Sequence, residues 1–417
     1  MATVDARPDG SVFVDGAAFA DDERWHAAVE TMRRETPLLR VEVEGWPHFW
    51  AVTRHADVLE IERRHDIFKN TLMAPLQSLD ALAAIESSGA QFEMLVQMDD
   101  PKHKKYRGVT TDWFKPSALR QTMGDKIEQL TRTYIDKMIE LDGECDFAAD
   151  IAKLYPLRVI MAILGVPEQD EPLMLELSSR ILAPEDPEFR LSEDHASDNA
   201  DQLLQVFAFF HAIAVARREH PTADLATVIA NSTIDGEPIG DMETLSYFLI
   251  LITAGHDSSS NTLSAGLEAL IRDPAQLTML QEQPELLPNA IEEMVRWASP
   301  VKQFTRTATQ DYEMHGTTIR AGEMVLMSFA SANRDETVFD DPFRFDIQRK
   351  NAGRHLGFGF GKHVCLGAPL ARMELISFFT ELLARVESVE LSGEVQRTRG
   401  TLVNGIKHMP IRYRFKA

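Results

Sequence analysis

The sequence predicts a mainly α-helical protein with small peripheral β-sheets. Most long segments carry apolar residues at every third or fourth position, which is typical of helices that bury one face. Strand-like runs are short and few by comparison. The 417 residues include 44% hydrophobic and 26% charged residues, as in globular proteins, and contain no repeat or low-complexity tract. We therefore expect one large domain over residues 1–417, with the order of residues 1–30 left open.

Helical periodicity is strongest in five segments, and the longest of them contains a cluster of polar residues. The helices are predicted at residues 124–139, 198–219, 241–272, 288–297 and 368–386. Residues 254–261 of the longest segment, Ala-Gly-His-Asp-Ser-Ser-Ser-Asn, are poor helix formers. We expect a local opening of the helix there, because a released carbonyl and a nearby hydroxyl hold water or substrate at many functional sites. A plain polar patch or a true helix end is the alternative.

The strand-like runs lie near the start of the chain and in its last third. They cover residues 38–44, 48–53, 317–320, 324–327 and 408–415, where apolar, β-branched and aromatic residues concentrate. Because these runs are short and widely separated, we place them in small sheets at the periphery of the helices.

Charge and cysteine content exclude several classes of protein. The net charge of −22, from 65 acidic and 43 basic residues, disfavours binding to nucleic acid or to an anionic membrane. The two cysteines, Cys145 and Cys365, permit at most one disulfide bond and cannot supply the four thiolates of an iron–sulfur cluster. The strongest apolar run, residues 247–254, is far shorter than a bilayer span, and the first ten residues lack a signal-peptide core. We expect a cytoplasmic protein.

A glycine-rich segment surrounds Cys365 and leads directly into the helix predicted at residues 368–386. Glycines at positions 357, 359, 361 and 367 permit backbone conformations and close approaches that side chains forbid. Pro369 suits the first turn of that helix, whose free N–H groups and dipole would stabilise a thiolate at Cys365. The pattern indicates a ligand for a soft metal ion.

Other interpretations of this cysteine stay open from the residues alone. A lone cysteine is commonly a buried packing residue, and a nucleophile would need a base that the sequence does not locate. A dinucleotide-binding loop would need a third glycine where Val364 stands. A zinc site would need ligands beyond His363 and Cys365, which lie on opposite sides of an extended segment.

The run Phe-Gly-x-Gly-x-His-x-Cys-x-Gly at residues 358–367 resembles the haem-ligand signature of the cytochromes P-450. Glu-Met-Val-Arg at 293–296, Ala-Asn-Arg-Asp at 332–335 and Phe-Asp-Ile-Gln-Arg at 345–349 also match motifs of that family. The resemblance implies the cytochrome P-450 fold, a single triangular domain. It further implies a haem b (iron protoporphyrin IX) cofactor whose iron takes an axial thiolate from Cys365.

The resemblance also implies roles for residues around the haem. Those that would border the ring are Phe358, Gly359, Gly367 and Ala254, and those that would hold its two propionates are His103, Arg107, Arg306 and His363. Arginine suits this role because its charge-assisted hydrogen bonds to carboxylates are strong. An ion network of Glu293, Arg296 and Arg349 would stabilise the fold behind the haem. Taken singly, each of the four propionate residues is at least as well explained by a solvated surface position, and Glu293 with Arg296 by an ordinary exposed i, i+3 pair.

The segment Ala-Gly-His-Asp-Ser at 254–258 resembles the oxygen-activating motif of the family, in which threonine usually stands at the position of Ser258. The resemblance implies that Asp257 and Ser258 relay protons to dioxygen, and that Gly255 leaves room for it. Serine keeps the hydroxyl but lacks the methyl group that restricts the threonine rotamer. We therefore hypothesise retained activity with some loss of reducing equivalents to hydrogen peroxide.

Electrons for this chemistry must come from another protein, because the chain has neither an iron–sulfur cluster nor a credible nucleotide-binding fold. The family suggests a [2Fe–2S] ferredoxin served by an NAD(P)H-dependent ferredoxin reductase. A basic docking patch for an acidic ferredoxin is predicted at Lys102, Lys104, Lys105, Lys362 and Arg372. A scatter of solubilising cations is the alternative. We expect the protein to be a monomer.

The predicted substrate is a small hydrophobic molecule, because the segments at family substrate positions are largely apolar. The pocket residues are predicted to be Leu72, Met73, Leu95, Thr253, Val301, Phe304 and Val403. The resemblance to the bacterial branch that contains α-terpineol monooxygenase is concentrated after residue 240. This resemblance favours monoterpenoids or alkyl-aromatic hydrocarbons as substrates. The alternatives are a peroxide-driven hydroxylase, against which Asp257 and Ser258 argue, and a haem-thiolate gas or redox sensor.

Overall fold

A computed structural model describes residues 9–70, 75–88, 93–182, 186–189 and 195–416. Helices dominate the described chain. They are α1 (Gly16–Ala20), α2 (Asp22–Glu35), α3 (His55–Arg63), α4 (Leu79–Ser88), α5 (Lys102–Thr111), α6 (Pro116–Glu140), α7 (Leu154–Leu164), α8 (Glu171–Leu182), α9 (His195–Glu219), α10 (Leu225–Ala230), α11 (Asp241–Arg272), α12 (Pro274–Glu282), α13 (Leu287–Ala298), α14 (Phe329–Ala332) and α15 (Ala368–Arg385).

The strands are short and form small sheets. They are β1 (Leu38–Val41), β2 (Phe49–Val52), β3 (Phe68–Lys69), β4 (Glu144–Asp146), β5 (Thr233–Ile234), β6 (Glu237–Pro238), β7 (Gln303–Ala308), β8 (Tyr312–Met314), β9 (Thr317–Ile319), β10 (Met324–Ser328), β11 (Val386–Leu391), β12 (Gln396–Arg397), β13 (Ile406–His408) and β14 (Pro410–Phe415). The largest sheet has the order β1-β2-β10-β7-β3, and a second has the order β11-β14-β4. In the larger sheet β10 pairs in parallel with β2 and antiparallel with β7. The prediction of a mainly helical protein with small sheets is confirmed.

Helix α11 runs through the centre of the protein. Its residues are buried on nearly all sides between Thr244 and Leu270, because α7, α9, α13 and α15 all pack against it. A helix that is apolar around most of its circumference belongs in such a core position. Side chains along α11 therefore reach both the surrounding helices and any cofactor that lies against it.

The structure corrects one expectation for α11. The helix was expected to open locally near Ala254, yet it is continuous over all 32 residues. Hydroxyl groups of the polar cluster bond back to the helix itself, since Ser258 Oγ donates to the Ala254 carbonyl and Thr262 Oγ1 donates to the Ser258 carbonyl. These bonds satisfy the polar side chains without displacing the backbone, and the packed neighbours hold the helix straight.

Most other predicted elements are found within a few residues of their expected bounds. The segment at 368–386 becomes α15, with Pro369 in its first turn, and the one at 124–139 begins earlier, at Pro116. Among the described residues, none of the helices has the length and apolar composition required to cross a bilayer.

The N-terminal segment, whose order the sequence left open, packs against the larger sheet from its first helical turn onward. Phe13, Phe19 and Trp25 are fully buried in a cluster with Phe49 of β2. The ammonium group of Lys302 donates a hydrogen bond of 2.8 Å to the Phe19 carbonyl. This contact ties α1 to the chain just before β7, which carries residues of the candidate site.

Candidate active site

The segment before α15 is a tight loop that presents Cys365. The Cys365 N–H donates to the Phe358 carbonyl at 2.8 Å, which closes the loop on itself. Gly359 and Gly361 have φ angles of +66° and +69°, a conformation that favours glycine. A Cβ atom at Gly357 would lie 2.6 Å from the Val295 side chain. The predicted need for glycine is therefore confirmed by backbone conformation at two positions and by close packing at a third.

Cys365 is exposed to solvent, yet its thiol lies deep among the surrounding protein atoms. Burial raises the pKa of the Cys365 thiol, while the N–H groups of Gly367 and Ala368 and the guanidinium groups of Arg107 and Arg372 oppose the rise. The helix terminus contributes as expected, but by itself it does not overcome the cost of burying the thiolate charge. A metal ion bound to the sulfur would provide the missing stabilisation, because a coordinating thiol loses its proton.

Helix α5 supplies two of the predicted propionate-binding residues to the cysteine loop. The rings of His103 and His363 lie 4.1 Å apart between centroids, and the Arg107 guanidinium donates to the Val364 carbonyl at 2.7 Å. Their i, i+4 spacing places both side chains on the face of α5 that meets the loop. The structure therefore brings His103, Arg107 and His363 together beside Cys365.

Burial sets the protonation of the two histidines. Burial lowers the pKa of His363 to about 2, helped by His103, Arg306 and Arg107. Burial also lowers the pKa of His103, with Arg107 as the next cause. Both rings are therefore neutral hydrogen-bonding groups, and positive charge at this place comes from the two arginines. The Asn70 amide nitrogen lies 3.0 and 2.8 Å from the two ring nitrogens of His363, a partner that the sequence did not indicate.

Arg306 on β7 completes the group and has an unexpected partner. Its Nη2 atom donates to Glu62 Oε1 at 2.7 Å, and its Nη1 atom donates to the Thr305 carbonyl at 2.8 Å. Arg306 and Glu62 are both 5% exposed. A buried carboxylate from α3 thus shares the arginine that the family motif assigns to a haem propionate.

On α11, the motif residues have distinct surroundings. Ala254 is exposed although Thr253 and His256 beside it are buried, so the packed helices leave this point of α11 uncovered. That Gly255 leaves room for dioxygen stays a prediction. A Cβ atom there would lie 2.8 Å from Cδ1 of Ile160, so glycine at this position serves the close packing of α11 against α7.

Asp257 and Ser258 are half-buried and have partners within one helical turn. Asp257 Oδ2 accepts a hydrogen bond of 3.1 Å from the Asn261 amide, and Ser258 Oγ donates to the Ala254 carbonyl at 3.1 Å. Lys153, at the start of α7, is near enough for the Asp257 charge to raise its pKa, although burial lowers that pKa overall. Asn261 and Lys153 are neighbours of the acid that the motif alone did not identify.

The predicted ion network is fully formed behind the cysteine loop. Arg296 binds Glu293 through contacts of 2.6 and 2.7 Å, and Arg349 Nε lies 3.1 Å from both carboxylate oxygens of Glu293. The remaining N–H groups of the two arginines donate to the backbone carbonyls of Asn333, Pro342, Arg344, Asp340 and Asp341. The alternative of an exposed pair is therefore wrong for Glu293 and Arg296, which are fully buried.

Two of the predicted pocket residues lie next to each other. Val301 and Val403 form an isolated antiparallel bridge that joins two of the predicted segments. Phe304 packs edge-on against Phe329, and Thr253 is buried with its hydroxyl donating to the Leu249 carbonyl. The others are half-buried Leu95, and Leu72 and Met73, which lie outside the described residues.

The predicted docking patch carries less free positive charge than the sequence suggested. Lys102 pairs with Glu93 at 2.5 Å, and Lys105 pairs with Asp235 at 2.5 Å. Lys362 pairs with Asp100, and Arg372 forms a double contact with Glu292 at 2.6 and 2.8 Å. Since four of the five cations have carboxylate partners, a strongly basic surface is a poor description of this region. The sequence contains no signal for these partners, three of which lie 80 or more residues from the cation that they bind.

The residues present suit a haem better than a bare metal ion. Within the part of the chain that the structure describes, no group of three His, Cys, Asp or Glu side chains is arranged to hold a metal, which argues against the zinc alternative. A metal at Cys365 would therefore need further ligands from a cofactor. The exposed thiol, the exposed Ala254 methyl group and the arginines beside His363 match the iron, the ring and the carboxylates of a haem.

Comparisons with known proteins agree with this arrangement. The profile of the family described as Cytochrome P450 matches residues 92–403. A crystal structure of CYP108D1 from Novosphingobium aromaticivorans DSM12444 has a TM-score of 0.90 and 35% sequence identity, with 98% of each chain covered.

Three curated relatives align along nearly the whole chain. Cytochrome P450-terp from Pseudomonas sp is 39% identical over 407 residues, which cover 95% of each chain. Steroid C26-monooxygenase from Mycobacterium tuberculosis is 35% identical over 405 residues, which also cover 95% of each chain. Linalool 8-monooxygenase from Pseudomonas putida is 32% identical over 401 residues, which cover 93% of this chain and 95% of that protein.

Proposed function

The chain belongs to the cytochrome P450 family and is a haem-thiolate monooxygenase, and on this basis we propose that it hydroxylates a monoterpenoid or alkyl-aromatic hydrocarbon. Electrons would come from a [2Fe–2S] ferredoxin and its NAD(P)H-dependent reductase. The observation that carries the proposal is the glycine-rich loop that presents the exposed Cys365, with His103 and Arg107 of α5 packed against it.

Haem bound through the Cys365 thiolate supplies the activation of O₂. The residues of the chain would orient this group and supply protons. Cys365 would supply the thiolate that holds the iron, and Arg107, Arg306 and the neutral rings of His103 and His363 would hold the propionates. Asp257 would hold and move protons at Oδ2, which Asn261 orients, and Ser258 Oγ would pass them on from its position over the Ala254 carbonyl.

The chemistry of the pocket supports an apolar substrate. Val301, Val403, Phe304 and Leu95 offer only hydrocarbon surface, and the Thr253 hydroxyl is already bonded to the Leu249 carbonyl. Such a lining gives no partner to a charged or strongly polar ligand, which would lose its hydration without compensation. Among the named relatives, one acts on linalool and one on steroids, so the two substrate sizes must be separated by experiment.

The experiment is a titration of the purified haem protein with α-terpineol, linalool, p-cymene and a C27 steroid. Each titration follows the shift of the haem absorption band that reports displacement of water. We expect the three small hydrocarbons to give saturable shifts and hydroxylated products with ferredoxin, its reductase, NADH and ¹⁸O₂. Saturation by the steroid alone would refute the proposed substrate class.

A pair of phenylalanine variants tests whether the proposed pocket is the binding site. Phe304→Ala should weaken binding of the preferred hydrocarbon by roughly tenfold or more, as expected when the contact of a half-buried aromatic ring is lost. Phe343→Ala is the control, because this ring is 40% exposed. Equal affinities for the two variants would place the pocket elsewhere. Turnover with hydrogen peroxide that matches turnover with ferredoxin would favour the peroxide-driven alternative, and gas binding without any product would favour the sensor.

A further inference from the structure

We propose that Glu62 is a positioning residue for Arg306 and that its charge sets the reduction potential of the haem iron. The observation is a buried ion pair between α3 and β7, in which one guanidinium is shared by Glu62 and, on the proposed function, by a haem propionate. The inference depends on that placement of the propionate, and the experiment below tests the two parts separately.

The geometry places Glu62 within the site. Its carboxylate is 2.7 Å from Arg306 Nη2, and the side chains of the pair are 4% and 6% exposed. Its carbonyl oxygen is so close to the cysteine loop that a Cβ atom at Gly361 would lie 3.1 Å from it. The last turn of α3 therefore touches both the loop that carries Cys365 and the arginine beside it.

The contacts of Arg306 fix the direction of its side chain. One guanidinium nitrogen binds Glu62 and the other binds the Thr305 carbonyl. An arginine presents five N–H donors in a rigid plane, so these two bonds orient the plane and leave further donors for a second carboxylate.

The electrostatic consequence follows from the burial of the pair. Burial raises the pKa of Glu62 and Arg306 opposes this rise, so Arg306 is the group that favours the ionised carboxylate. A negative charge in surroundings of low dielectric constant acts over longer distances than one in water. An ionised Glu62 would disfavour the reduced form of the haem, which carries one more electron, and would compete with the propionate for Arg306.

The experiment compares Glu62→Gln with wild-type haem protein. The amide oxygen still accepts the hydrogen bond from Arg306 while the charge is removed. At a fixed potential we expect the ratio of ferrous to ferric protein to rise on the order of tenfold, the size expected of one buried charge at an effective dielectric constant of about 20. The midpoint is measured by spectroelectrochemistry. Transfer of haem to excess apomyoglobin should become slower, because the propionate no longer competes with a second negative charge for Arg306.

Two further variants are matched controls. Glu60→Gln makes the same change on the same helix, at an exposed carboxylate that accepts a hydrogen bond from Tyr312, and should leave the midpoint and the transfer rate unchanged. Glu62→Asp keeps the charge and should keep the wild-type midpoint even if its stability falls. A purely structural role for Glu62 would lower stability in both Glu62 variants without moving the midpoint.

Variants of Arg306 separate the inference from the proposed site. Arg306→Gln should accelerate haem transfer, and adding Glu62→Gln should slow it again, because an unpaired buried carboxylate then no longer faces the propionate. An unchanged midpoint in Glu62→Gln, together with fast transfer in Arg306→Gln, would overturn the role of Glu62 alone. Wild-type transfer in Arg306→Gln would refute the propionate assignment, and the inference with it.

Discussion

Glu374 on α15 is a buried acid whose removal should stabilise the protein at alkaline pH. It is 0% exposed, and neither carboxylate oxygen makes a hydrogen bond of normal geometry to the described residues. Burial raises its pKa from 4.5 to about 8, and only the Ser259 hydroxyl on α11 opposes the rise. The folded protein therefore holds a proton at this carboxyl under conditions where the unfolded chain has lost it.

The sign of the pH dependence follows from this difference. Because the folded-state pKa lies above the unfolded value, the stabilisation from the bound proton is complete below pH 4.5 and is lost as the pH rises through about 8. Each unit of pH within that window is worth about 1.4 kcal/mol, so the loss between pH 5.5 and 8 is about 3 kcal/mol. Glu374→Gln has nearly the same shape and no charge to bury. The free energy of unfolding of Glu374→Gln relative to wild type should therefore rise by about 3 kcal/mol between pH 5.5 and 8.

The measurement is urea unfolding of the haem protein at several pH values, followed by far-ultraviolet circular dichroism. The range starts at 5.5 because the isoelectric point is near 5.0, where solubility is lowest. Glu381→Gln on the same helix is the control, because Glu381 is part of a half-exposed pair with Arg385 and should give a flat difference. A difference between Glu374→Gln and wild type that does not change with pH would show that Glu374 is ionised in the folded protein.

Four other predictions address the site and the residues that support it. Asp257→Asn should lower turnover by about a hundredfold without weakening the hydrocarbon-induced shift of the haem band. Ser258→Thr should increase the amount of product formed per NADH consumed. Equal coupling in Ser258→Thr and wild type would remove any role for the missing methyl group. Glu293→Gln should lower the free energy of unfolding in urea by about 3–5 kcal/mol, because two buried arginines lose the carboxylate that they share. The control is Glu144→Gln, which breaks an exposed pair with Arg412 and should lower it by less than about 1 kcal/mol. Gly255→Ala should destabilise the fold by about 1–3 kcal/mol through a clash with Ile160, and Ile160→Val should restore part of the loss; no rescue would mean that the glycine is needed for another reason.

The parts of the site that the sequence predicted are those encoded by neighbouring residues. Gly359 and Gly361 predict positive φ angles, and the spacing of His103 and Arg107 predicts a shared helix face. The partner of Arg306 was not predictable in this way, because Glu62 lies 244 residues earlier in the chain. Gly255 shows the complementary limit, since the motif predicts room for dioxygen there but does not predict the close packing of α11 against Ile160 of α7. Glu374 follows an ordinary helical pattern, and no feature of that pattern reveals that it faces the core.

The cysteine loop, the arginines and the substrate side of the site are held in place by different forces. Residues that govern the reaction can therefore be changed independently of residues that select the substrate. The cysteine loop depends on backbone geometry at its glycines, and the arginines depend on buried carboxylates at Glu62 and Glu293. The proposed substrate side is lined by apolar side chains such as Val301 and Val403, which a backbone bridge joins, and a change of volume there would alter fit without disturbing charge. Pocket residues are therefore free to vary while the ligand loop and its charges stay fixed. On this reasoning, Val403→Ala should change which hydrocarbons bind but leave the midpoint potential of the haem as in wild type, whereas Glu62→Gln should do the opposite.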